Sequence, residues 1–196
     1  MTWDRVRRAA QAAYFAAAAG GVALVAIGLS MAGGPFGTLA NVGFLAMTAA
    51  IAPIMLGSYE LGGVTPLWPA RVSLAGGIAA VVVWSILDLG SLLGLLTFTY
   101  DPGLSGAAIV ESVATAVIGA WLIGAPLLAG PWLPFHLRWL GALSGLGFFV
   151  GGVGLLLGSA SLAVTAASGL TYLFPLWAYL VARVFNSRAS TPRPAG

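Results

Sequence analysis

The chain has no cysteine, no lysine and one histidine, and charged residues make up only 7% of its 196 positions. Without cysteine there are no disulfides, thiolate metal sites, covalently attached haem or cysteine nucleophiles. Without lysine there is no retinal Schiff base and no other lysine-based covalent chemistry. One histidine, His136, supplies neither bis-histidine haem ligation nor a three-histidine zinc site. No cofactor and no metal is therefore expected. The shortage of charge excludes a water-facing exterior, because soluble domains carry about 25% charged residues.

What is there instead is apolar: 60% of the residues are hydrophobic and the mean hydropathy is +1.00. Six apolar runs stand out, at about 9–31, 38–59, 71–98, 107–129, 139–158 and 161–183. A bilayer core of about 30 Å takes roughly 20 residues of helix, so six spans with short joints use nearly the whole chain. No run shows the strict alternation that a membrane β-barrel requires. The expected fold is all-α: a polytopic integral membrane protein with six transmembrane helices in a compact bundle. Residues 1–185 form one domain and 186–196 a polar, proline-containing mobile tail. The first run is longer than the roughly 7–15 residues of a signal-peptide core and is read as a retained span.

Turn signals separate the runs. Gly33-Gly34-Pro35 closes the first, and Tyr100-Asp101-Pro102-Gly103 precedes the fourth, with Asp101 as N-cap and Pro102 at the first helical position. Pro66-Leu67-Trp68-Pro69 and Pro131-Trp132-Leu133-Pro134 precede Arg71 and Arg138, a weak internal repeat that suits three helical hairpins.

All eight cationic side chains are arginines: Arg5, Arg7, Arg8, Arg71, Arg138, Arg183, Arg188 and Arg193. In a six-span threading they all fall on one side. Basic residues near span ends stay in the cytoplasm, so both termini are expected inside. Trp3, Trp68, Trp132, Trp139 and Trp177 fall near the same side, at the headgroup level that tryptophan favours. With Asp4 and Glu60 the inner side sums to +6, and Asp88, Asp101 and Glu111 leave the outer side at −3. The high pI follows from this topology and is no signal for nucleic acid. Heavy Ala, Gly and Arg usage without Lys hints at a bacterial genome rich in G and C, and the expected location is the bacterial cytoplasmic (inner) membrane, with Arg5, Arg7, Arg8, Arg71, Arg138 and Arg183 facing lipid headgroups.

Lipid gives helices no hydrophobic reason to associate, so small residues that allow close backbone approach carry the packing information. In the fourth run Ala108, Ser112, Ala116, Ala120 and Gly124 recur every four residues. The fifth carries Gly141/Gly145, Gly147/Gly151 and Gly154/Gly158, which marks it as a central helix. Pro53, Pro126 and Pro175 stand in or near the even-numbered spans, where each removes a backbone hydrogen bond.

Few polar residues remain for chemistry. Asp88 and Glu111 lie on consecutive spans near the outer side, where they could approach one another as a proton or cation site. His136, Gln11 and Asn41 sit near span ends, where headgroup exposure accounts for them. Gly103-Leu104-Ser105-Gly106, just before the fourth run, resembles the serine motif of rhomboid intramembrane proteases. That resemblance implies a histidine base on the sixth span, which has none, and His136 falls on the opposite side. A serine with no base in reach is not an activated nucleophile.

The residues thus point to a non-catalytic integral membrane protein, a structural, accessory or partner-binding subunit of a membrane complex. Its partners would be the lipid bilayer and other membrane subunits or further copies of itself, with no nucleic acid. The alternative is a small transporter or channel using Asp88 and Glu111.

Overall fold

The computed structural model describes residues 3–31, 36–62, 68–97, 104–128, 132–159 and 171–190. These form six helices and no strand: α1 (Trp3–Met31), α2 (Gly37–Leu61), α3 (Trp68–Leu92), α4 (Gly106–Leu128), α5 (Phe135–Leu156) and α6 (Leu173–Ser190). The first five are long and apolar enough to cross a membrane.

Several boundaries differ from the sequence reading: α1, α3 and α5 start at Trp3, Trp68 and Phe135, ahead of their apolar runs, and the ends of α3 and α6 move as well. α3 stops at Leu92 rather than running to 98, because Gly94 turns into the left-handed region at φ 69°. Its N–H bonds Ser91 O at 3.0 Å and that of Leu95 bonds Gly90 O at 2.9 Å, closing the helix with a Schellman motif. Leu96 then folds over Gly90, where an added Cβ would lie 2.7 Å from its Cδ1. α5 ends the same way, with Gly158 at φ 69° and Ser159 N–H bonded to Gly154 O at 2.9 Å. At the other end of the chain, α6 continues to Ser190, so residues 186–190 are helix and not tail. The expected turns at 33–35 and 100–103 lie outside the described residues, and the sixth span, the joints at 66–69 and 131–134 and the tail lie only partly within them.

Neighbouring helices run antiparallel, and the residue pairs that touch fix their register. Ala9 meets Gly57 and Ala23 meets Gly43 between α1 and α2. Gly77 of α3 touches both Met55 of α2 and Trp121 of α4. Gly145 and Gly152 of α5 lie on α4, while Gly141 fits beneath Trp177 of α6 and Pro126 of α4. α6 returns to α1, with Pro175 over Gly20 and Phe185 near Gly57. The starts of α1, α3 and α5 and the end of α6 therefore share one end of the molecule, and every described arginine lies there.

The α4–α5 interface corrects the four-residue stripe. Ala108 and Ser112 are buried and Ala116 is half-buried, but Ala120 is exposed and a Cβ on Gly124 would meet nothing within 4 Å. At 3.6 residues per turn, a strict four-residue repeat slides round the helix by about 40° at each step. Between Ala108 and Gly124 it leaves the interface altogether. The true seam follows a seven-residue spacing, Ser112-Gly119-Pro126, against Gly145 and Gly152. An added Cβ on Gly145 would lie 2.7 Å from Gly119 O and 2.7 Å from Ile123 N, so backbone packs on backbone. Gly147 and Gly151 are also buried in α5.

The core is rich in aromatics. Trp84, Phe148, Phe174 and Trp177 form a continuous ring contact from α3 through α5 to α6, with centroids 5.9, 5.8 and 5.7 Å apart in turn. Two tryptophans assigned to the headgroup level belong to this interior. Trp177 is 1% exposed and donates its indole N–H to Leu137 O at 3.0 Å, while Trp132 is 8% exposed and stacks on Phe185. Trp68 and Trp139 are exposed, at 74% and 50%.

Candidate functional site

Asp88 lies in the last turn of α3 and Glu111 in the second turn of α4. The Gly77–Trp121 contact sets these antiparallel helices so that residue 88 falls opposite 110–111. This places the two acids at the same level of the helix pair, with Trp84 one helical turn before Asp88 on α3. Trp84 is itself fixed edge-on to Phe148. Asp88 Oδ2 is buried without a hydrogen-bond partner, as is the neighbouring Ser85 Oγ.

This is an unfavourable place for negative charge, since the C-terminal end of a helix already carries a partial negative charge. Asp88 stands at such an end, whereas Glu111 lies near the N-terminal end of α4; with every described arginine at the far end, the pair can share a proton or attract a cation. Among the described residues no three His, Asp, Glu or Cys side chains converge as a metal site.

Trp84 and Ser85 were not singled out in the sequence. Their signal is the spacing Trp84-Ser85-Ile86-Leu87-Asp88, which puts an indole donor one helical turn from an acid near a helix end. Ser105, the serine of the Gly-x-Ser-Gly motif, accepts the N–H of Ala108 at 3.2 Å, as the N-cap of α4 does. Ser112 and Thr115 bond back to Ala108 O and Glu111 O at 2.7 and 2.8 Å. His136 is exposed in the first turn of α5.

The opposite end is held differently. Arg5 of α1 pairs with Glu60 of α2 at 2.7 Å, and Arg138 Nε donates to Leu133 O at 2.8 Å. Arg7, Arg8, Arg71, Arg183 and Arg188 are exposed. Compared with known protein families, curated proteins and solved structures, the chain matches none.

Proposed function

We propose that this chain is a non-catalytic, multi-pass protein of the bacterial inner membrane, with both termini in the cytoplasm, that serves as a partner-binding subunit of a membrane complex. The observation that carries this reading is the outward face of α4. Ala120 is exposed, Gly124 is open, and Val113 and Val117 flank them at 46% and 38% exposure. The chain's own seam uses the other side of the helix. A small-residue face turned away from its own chain suits a partner transmembrane helix, because close backbone approach is what drives association in lipid. The orientation rests on the clustering of arginine at one end. Gentle extraction from native membranes tests the reading: the protein should migrate with a stoichiometric partner or as an oligomer. Migration as a lone chain overturns it.

A second reading is favoured by the Asp88–Glu111 pair: transport of protons or a small cation. In proteoliposomes, an ion flux lost in both Asp88→Asn and Glu111→Gln supports transport. Flux absent in the wild type, or unchanged in both variants, removes it.

A further inference from the structure

We propose that the seam between α1 and α6 binds the headgroup of an anionic phospholipid, through Arg7 and Arg183. Tyr14 and Tyr179 meet across this seam edge to face, with ring centroids 5.8 Å apart, and both are exposed. The Gly20–Pro175 contact and the approach of Ala9 and Phe185 at Gly57 give the same antiparallel register, in which residue 183 falls opposite residue 11 and residue 187 opposite residue 7. From the tyrosine pair toward the arginine end, α1 presents Gln11 and then Arg7, and α6 presents Arg183 and then Asn186. Each of these steps is three or four residues, so each set stays on one face of its helix. All four residues are exposed.

The seam thus passes from paired aromatic rings to two polar levels, Gln11 opposite Arg183 and then Arg7 opposite Asn186, each pairing one amide with one guanidinium. Tyrosine suits the level where acyl chains meet headgroups, and arginine offers a planar donor fork that matches a phosphodiester. The depth agrees. α1 is 29 residues long, about 43 Å at 1.5 Å per residue, so it exceeds the hydrocarbon core by roughly 13 Å. If that excess projects from the arginine end, Gln11 and Arg183 sit at the core boundary and Arg7 sits among the phosphates. The local charge is positive: Glu60 is engaged by Arg5, and Asp4 stands one turn before both Arg7 and Arg8 in α1. Basic residues at the membrane surface each contribute roughly a fivefold gain in attraction for anionic lipid.

The inference rests on the arginine end meeting the membrane surface and not on the subunit reading. Membrane fractionation checks the first requirement separately. The full chain in nonionic detergent is then titrated with dioleoylphosphatidylglycerol or dioleoylphosphatidylcholine, and bound lipid is counted by native mass spectrometry. The wild type should retain phosphatidylglycerol in preference to phosphatidylcholine. R7Q/R183Q should bind it roughly 30-fold more weakly, while R71Q, at an exposed arginine on another helix, should match the wild type. If the double variant fails to fold, the charge-preserving R7K/R183K and the single R183Q carry the test, the first retaining and the second losing preference. Equal loss in R71Q, undiminished binding in R183Q, equal retention of phosphatidylcholine, or full competition by inorganic phosphate would overturn the proposal.

Discussion

Among the described helices, the α1–α2 and α4–α5 hairpins pack most extensively, and they do so by different means. In α1 the buried positions Val6, Ala9, Ala13, Ala16, Gly20 and Ala23 recur at alternating three- and four-residue steps, and methyl groups fill most of the interface. In α4–α5 the contact is between glycine backbones, with no room for any methyl at Gly119 or Gly145. The α1–α2 seam sets alanine methyls on glycines, Ala9 on Gly57 and Ala23 on Gly43, so that removing a methyl from α1 changes mainly a side-chain contact. The glycine seam differs, because the obstacle to an added Cβ is main chain, which moves only if a helix moves.

Substitutions that exchange the two strategies should separate them. Gly119→Ala places a methyl against the backbone of Phe149 and Gly145. We expect a loss of about 1–3 kcal/mol, or failure to fold, read as a fall in detergent unfolding midpoint. Equal stability would mean that α4 and α5 do not approach as described. The converse change in the alanine seam, Ala16→Gly, removes one methyl and lowers helix propensity, and should cost about 1 kcal/mol. A cost above that of Gly119→Ala would reverse the comparison. Gly77→Ala meets only the flexible end of Met55 and the edge of Trp121, with the nearest atom 3.0 Å away. It should fall below both, and a large effect there would mean that the α2–α3 contact is as rigid as the glycine seam.

The hairpins also differ at their arginine ends. α1–α2 is joined by the Arg5–Glu60 pair across the two helices, whereas Arg138 bonds the carbonyl of Leu133 in the turn before its own helix. The Arg5 side chain is 61% exposed, so Glu60→Gln should change stability by about 0–1 kcal/mol, less at high salt. A larger, salt-insensitive effect would show that the ion pair fixes the hairpin.

Much of this was legible in the sequence, and the physical reasons for the rest are specific. Five apolar helices followed from run length, because lipid-facing helices announce themselves by composition. The end of α3 was missed because Leu95-Leu96 continues the apolar run past Gly94, and hydropathy does not register a left-handed glycine. The α4 stripe was read on a four-residue grid that matches the helix for only about two turns, which is why Ala108 and Ser112 are buried and Ala120 is not. The α1 seam gave no signal at all. Alanines lie on every face of that helix, so spacing alone cannot distinguish packed from lipid-facing positions. At the candidate site, the placement of Asp88 and Glu111 at one level of consecutive helices followed from the order of the spans. The indole of Trp84 did not, because tryptophan near a span end is read first as an interfacial residue.

On the proposed reading α4 has two working faces, one sealed against α5 and one offered to a partner. The absence of native cysteine allows a direct test with single cysteines in native membranes. Under mild oxidation or with a short thiol-reactive cross-linker, Ala120→Cys should give a cross-linked species in the membrane. Ser112→Cys, at a fully buried position, should give none. A cross-link at Ser112→Cys with none at Ala120→Cys, or no product at either, would contradict the account.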